Sequence, residues 1–380
     1  MKIINKLLEY NILFLFILMY IGININTNFG HICTYIYTFL SILLLLIYSI
    51  YNYKFNKKEL LYIIIFMICS IFSIYLNKPL NREIIAVINT IIYIFIFTKI
   101  KYNKKTIKKI GIYSTIFLIL EILTTKNAIT LYYDKLIDIN PNFIAQLIFI
   151  LLVISNYYLK NKSKLLLIII NLISLIAIYN CNCRNVLICV MLYLIIIFIV
   201  PKKIKNNSKI IKLSTTLIIS IGILMPIIIT YLYNNNYSID INLFGKSFFS
   251  GREHLWTDIF KYYINPKNYI LGVPRINYIN HIVKINYTTS TLKNLHNNYL
   301  SMLTNFGLLT TILYYYYIIK KTNEYINKED NSIIWGIIII LLISSLETIL
   351  YSVYTNFVFC IIYIFLEYEK SCKKTIQLSN

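Results

Sequence analysis

Apolar runs of membrane-crossing length recur along almost the whole chain, separated by connections that alternate between lysine-dense and lysine-poor. A helix needs about 20 mostly apolar residues to cross the hydrocarbon core of a bilayer. Twelve runs approach that length, centred on residues 8–23, 32–53, 60–76, 84–98, 110–125, 143–159, 165–180, 186–200, 213–233, 299–319, 333–351 and 355–368. Hydrophobic residues make up 58% of the 380 and charged residues only 14%, against about a quarter charged in soluble domains. So few charges cannot cover a water-facing surface, so lipid must solvate most of it. The first run follows Lys2 and Lys6 with no small-residue cleavage site after it, which reads as an uncleaved anchor.

The net charge of +22 would point to nucleic acid in a soluble protein. Here its distribution gives another reason for it. Lysines crowd the N-terminus, 54–58, 99–109, 160–164, 202–212, 320–328 and 370–374, and are sparse in 24–31, 77–83, 126–142, 181–185 and 352–354. Assigning the dense set to the cytoplasm places 25 of the 37 basic residues there and both termini with them. This is the bias that orients membrane proteins, so no nucleic-acid partner is expected. Residues 1–233 then hold nine spans, 234–298 form one large extracytoplasmic loop, and 299–380 hold three spans and a short tail. Loops that long are usually functional or disordered; this one is aromatic-rich and is expected to fold against the membrane surface.

No phosphate-binding glycine loop, dinucleotide fingerprint, H-E-x-x-H or C-x-x-C occurs, and no outer D-x-D is available to hold a metal on a diphosphate. The seven cysteines form no framework and read as small buried or interfacial thiols. Glu121 and Glu347 are acids inside apolar runs, by default functional candidates; both lie near run ends, so snorkelling or structural pairing stays open.

Three constellations remain. Ser250 and Glu253 have capping-box spacing, and apolar residues at Leu255, Trp256, Ile259, Phe260 and Tyr263 follow as one stripe of an amphipathic helix ended by Asn265-Pro266. Arg252 then falls in the first turn, where free N–H groups favour an anion and a planar guanidinium suits phosphate; pairing with a headgroup or with Glu253 is the alternative. His296 lies where the loop re-enters the membrane at a helix N-terminus, a position that disfavours imidazolium, so a neutral ring there is a general-base candidate; the alternative is an interfacial polar tip. Arg184, in the short turn Cys181-Asn182-Cys183-Arg184-Asn185, is held at the boundary or snorkels to headgroups.

The ordered set resembles the O-antigen ligase and Wzy-type polysaccharide polymerase superfamily over about residues 140–320. The matching elements are Cys183-Arg184-Asn185 opening a span, Ser250-Gly251-Arg252 with Trp256, Leu271-Gly272-Val273-Pro274, His296-Asn297-Asn298-Tyr299-Leu300, and a following span with Gly307. The family often has Ser-Arg where this chain has Cys183-Arg184. The resemblance implies an all-α polytopic membrane protein of about 12 transmembrane helices, GT-C-like, in a bacterial cytoplasmic membrane. It implies a polymerase joining polyprenyl-pyrophosphate-linked oligosaccharide repeat units with inversion, without metal or cofactor. His296 would be the base, with Arg252 and Arg184 on the pyrophosphate; Arg275, Glu253, Trp256 and Asn297 are the expected substrate contacts. Partners implied are the lipid-linked donor and acceptor, the bilayer, a flippase and a chain-length regulator. A ligase of the same superfamily and a lipid-linked oligosaccharide flippase are the alternatives.

Overall fold

A computed structural model of the chain describes residues 2–25, 32, 56–76, 82–134, 140–160, 162–235, 237, 242–243, 246–247, 252–262, 270, 272 and 295–379. The apolar run at 32–53 lies outside them apart from Ile32. In chain order the helices are α1 (Lys2–Asn24), α2 (Lys57–Leu76), α3 (Arg82–Phe97), α4 (Lys104–Tyr133), α5 (Pro141–Leu159), α6 (Lys164–Asn180), α7 (Arg184–Phe198), the single turn α8 (Lys202–Lys205), α9 (Ser208–Asn234), α10 (Arg252–Tyr262), α11 (Asn298–Asn323), α12 (Ser332–Ile343) and α13 (Val353–Ser379). Among the described residues the strands are β1 (Asn242–Leu243) and β2 (Lys246–Ser247), paired antiparallel. Helices α1, α5, α9 and α11 are each long and apolar enough to cross a membrane. Helices α6, α7, α12 and the Ile85–Phe97 part of α3 are shorter apolar helices. The chain is a multi-pass membrane protein.

Where the helices start follows from local chemistry. Asn103, Asn140, Ser163 and Asn207 each accept a backbone N–H of the following turn, satisfying donors that a helix end leaves free. The abundant asparagines thus have a structural use at the helix ends.

Helix α5 lies at the centre: from Ile144 to Ile154 every residue is buried, and it packs on α4, α6, α12 and α13. Helix α12 is buried from Ile333 to Leu341 and packs on α7 and α9. Helix α9 has the opposite character. Leu213, Leu217, Ile221, Leu224, Ile228 and Tyr231 recur every three to four residues and are all exposed. An apolar stripe turned outward at helical spacing is a lipid-facing surface, the reverse of a soluble amphipathic helix.

Ion pairs tie the lysine-rich helix ends together. Glu59 on α2 holds both Lys99 and Lys321, Glu9 holds Lys109 at 2.5 Å and Lys160 holds Asp330 at 2.6 Å. Glu121, the first of the two intramembrane acids, is buried on α4 and accepts a hydrogen bond from the Asn24 amide.

Two expected spans are interrupted, and a third carries a proline within a continuous helix. The run 333–351 is helical only to Ile343; it then opens into an irregular stretch before a single 3₁₀ turn at Ile349–Tyr351. The run 299–319 is broken at Gly307, whose φ of 75° and ψ of 176° belong to no helix. That backbone region is essentially restricted to glycine, so the residue dictates the break. The run 213–233 contains Pro226, which lacks the N–H its helix needs there. The last run, 355–368, is in contrast extended: α13 continues to Ser379.

Candidate functional site

The irregular stretch 344–348 carries Glu347 to the N-terminal ends of α7, α10 and α11. Its carboxylate, only 3% exposed as a residue, accepts from Arg252 Nη2 at 2.6 Å and from Asn185 Nδ2 at 3.2 Å through Oε1. Its Oε2 lies 3.5 Å from His296 Nδ1. Residues separated by up to 162 positions thus meet on one carboxylate. Arg252 does not pair with Glu253; its partner is the acid 95 residues further on.

The His296 side chain is held by the backbone turn that carries it. Residue 296 has φ 51°, in the left-handed region that non-glycine residues occupy at a cost of about 1–3 kcal/mol. Its neighbours fix it there. The Leu295 carbonyl accepts the indole N–H of Trp256 at 2.9 Å. Asn297 caps α11 by accepting Leu300 N–H at 2.8 Å. The Asn297 amide also donates to Ser345 O at 2.8 Å and Gly222 O at 3.1 Å.

The last bond explains Pro226. With any other residue at 226 its N–H would bond the Gly222 carbonyl four residues back. Proline has no N–H, so that carbonyl is available to Asn297. Gly222 serves the contact a second time: a Cβ there would lie 2.2 Å from the Tyr299 ring. Tyr299 stacks on Tyr315 with centroids 4.4 Å apart and donates to the Leu341 carbonyl at 2.9 Å. Asn298 N–H bonds Ser344 O at 2.8 Å, Asn298 Nδ2 donates to the Tyr315 hydroxyl, and Leu350 N–H donates to Asn298 Oδ1. The broken end of α12 is therefore wrapped on the start of α11.

Two features give the cluster capacity for an anion. Arg252 is 8% exposed, and its second terminal nitrogen, Nη1, is buried without a hydrogen-bond partner among the described residues. A buried guanidinium nitrogen lacking an acceptor is costly, and a phosphate oxygen would satisfy it. The N-terminus of α11, opening two residues after His296, adds the positive end of a helix dipole.

An apolar groove of about 250 Å³ lies between α9, α10 and α11, lined by Tyr299 and Leu300 from the first turn of α11. Ile219, Ile223 and Ile227 line one side, Leu303 and Ile312 the other, and Phe260 its end.

The sequence-derived residues fall as follows. Arg252 and His296 meet at Glu347. Arg184 begins α7 beside Asn185 and so stands at the edge of the cluster. Asn297 is fully buried and Trp256 likewise; both hold the backbone of the His296 turn. Glu253 follows Arg252 in α10, and its Oε2 is buried without a partner among the described residues. Arg275, Ser250 and Gly251 lie outside the described residues. Gly272 sits against the backbone of Thr304 and Asn305, just before the Gly307 break. Two members were not singled out from sequence as partners. Glu347 had the signal of an acid in an apolar run, without a direction. Asn185 had none beyond adjacency to Arg184. His254, another loop histidine, bonds the Tyr233 hydroxyl at 2.6 Å and fastens α10 to the end of α9.

A family model described as O-antigen ligase matches residues 169–315. The match takes in Arg184, Arg252, His296 and Gly307 and stops short of Glu347. No curated protein and no solved structure matches the chain.

Proposed function

We propose that this chain, whose residues 169–315 match a family model described as O-antigen ligase, is a membrane enzyme of the O-antigen ligase and Wzy-type superfamily and a polymerase that joins polyprenyl-pyrophosphate-linked oligosaccharide repeat units. The observation that carries the reading is the convergence of Arg252 and His296 on the buried carboxylate of Glu347. The apolar groove beside the first turn of α11 has the chemistry of an isoprenoid tail, which supports a lipid-linked substrate.

The chemistry follows from the geometry. With Nδ1–H directed at Glu347, the His296 lone pair is on Nε2. Glu347 sets that tautomer and stabilises the imidazolium that forms, as the carboxylate does in a catalytic triad. Nε2 takes the proton of an acceptor sugar hydroxyl as its oxygen forms a bond to the anomeric carbon. The bond from that carbon to the pyrophosphate oxygen breaks with its electron pair leaving on the pyrophosphate, and the anomeric centre inverts. The free Nη1 of Arg252, with Arg184 and the α11 N-terminus, meets the departing charge. The phosphoanhydride-linked donor supplies the driving force, so no nucleotide is needed on that side. In the proposed topology the lysine-rich ends and both termini are cytoplasmic, twelve spans cross in a GT-C-like bundle, and residues 234–298 cover the outer face. A flippase would deliver the donor and a chain-length regulator would set product size.

The description of the matched family favours a second reading, a ligase that passes finished polymer to another acceptor. The donor chemistry is shared, and the acceptor separates the two. Deleting the gene and extracting lipid-linked intermediates tests both. Single repeat units accumulating on the carrier support the polymerase; long polymer retained on the carrier supports the ligase; unchanged polymer and intermediates overturn both.

A further inference from the structure

At the lysine-rich end of the bundle, away from the Glu347 site, a cleft of about 1170 Å³ opens between α4, α5, the 329–330 loop and α13. The ends are separated by helices such as α6, whose 17 residues extend about 25 Å. Ile107, Tyr157, Tyr158 and Phe365 give the cleft an apolar floor, and five lysines rim it: Lys104, Lys108, Lys160, Lys162 and Lys373. Its three acids are already engaged. Asp330 pairs with Lys160 at 2.6 Å, and Glu329 and Glu369 pair with Lys373 at 2.9 and 3.4 Å. Among the described residues no carboxylate pairs with Lys104, Lys108 or Lys162. Lys162 instead lies 3.4 Å from the centre of the Tyr158 ring, a contact that orients an ammonium without neutralising it.

We propose that this cleft binds the phosphate of an anionic phospholipid from the leaflet on that side. Lys104 and Lys108 stand one turn apart on α4, and the same i, i+4 ridge continues through Ile112, Ile116 and Leu120. Ile116 is 51% and Leu120 39% exposed. A row of cations running into an exposed apolar ridge matches a headgroup whose acyl chains follow the helix. Basic pockets between helices on the lysine-rich side are where such headgroups bind. A soluble phosphate would use the cations but leave the apolar floor and ridge unused. The inference depends on the membrane placement of the bundle and is independent of the transfer chemistry.

The test uses the full chain purified in neutral detergent, with native mass spectrometry reading bound lipid during titration with phosphatidylglycerol or phosphatidylcholine. Each unpaired lysine near an anionic surface is worth about fivefold in binding. The combined variant Lys104→Gln, Lys108→Gln, Lys162→Gln is therefore expected to bind phosphatidylglycerol on the order of 100-fold more weakly. A control, Lys202→Gln, Lys203→Gln, Lys209→Gln, loses the same charge from exposed positions outside the cleft and is expected to bind like wild type. Equal loss in both combined variants, or equal binding of the two lipids by wild type, overturns the proposal. Displacement of the lipid by millimolar glycerol 3-phosphate also overturns it, in favour of a soluble phosphate ligand.

Discussion

Arg252 Nη2 and Glu347 Oε1 lie 2.6 Å apart, and both residues are withdrawn from solvent. Breaking a buried pair by removing one partner costs about 3–5 kcal/mol, because the remaining charge is stranded. Glu347→Ala should therefore reduce the yield of folded protein, read by fluorescence-detected size exclusion. Glu347→Gln keeps the shape and a carbonyl for Asn185 and should fold better, yet transfer on the order of 10² more slowly once His296 loses its orienting charge. Wild-type polymer from Glu347→Gln would show that the carboxylate is not needed for the chemistry.

Pro226, Gly222 and Asn297 form a second testable unit. Asn297→Ala removes a cap worth about 0.5–2 kcal/mol and leaves the Gly222 carbonyl without a donor. Pro226→Ala in that background restores the N–H that bonds Gly222 within α9. The double variant should be more thermally stable than Asn297→Ala alone, while Pro226→Ala by itself gains little. A double-mutant cycle that closes to zero would contradict the exchange of partners.

Gly307→Ala places a Cβ in a backbone region that only glycine occupies readily, at a cost of about 1–3 kcal/mol. Either α11 straightens, dragging its start away from Glu347, or the protein is destabilised. Polymer should fall in either case, and a lower melting temperature would identify the second outcome. Normal stability with normal polymer would show that the break is dispensable.

A pH dependence is expected at the lysine-rich end. Burial raises the Glu369 carboxyl above its ordinary value in spite of Lys373 nearby. A raised carboxyl pKa means the folded state holds its proton more tightly than the unfolded chain does, so stability falls as pH rises through that window. Glu369→Gln should therefore raise the melting temperature at pH 7.5 and lose that advantage toward pH 4.5. An advantage independent of pH would place the effect in packing.

Much of this was legible in the chain, for physical reasons. Apolar runs had to become helices because lipid offers their backbone no partner, and Arg252 had to open α10 because its apolar stripe begins there. Glu347 was visible as an acid in an apolar run, but its partners were not. Its meeting with Arg252 and His296 requires α12 to stop at Ile343 without a proline or glycine to announce it. The break is held from outside, by Asn297 on Ser345 and Asn298 on Ser344. Trp256 and Asn297, which the residue pattern marks as substrate contacts, are buried and bond backbone carbonyls around the His296 turn, a placement that periodicity does not carry.

The most direct measurement is the initial rate of polyprenyl pyrophosphate release from a lipid-linked oligosaccharide by the purified full chain in nanodiscs. It should be compared for wild type, Arg252→Gln, His296→Gln and the double variant. Residues that act as one unit lose rate non-additively. Each single variant should fall by about 10²–10³ and the double variant little further. Release at the wild-type rate by either single variant would contradict the assignment of this cluster as the transfer site.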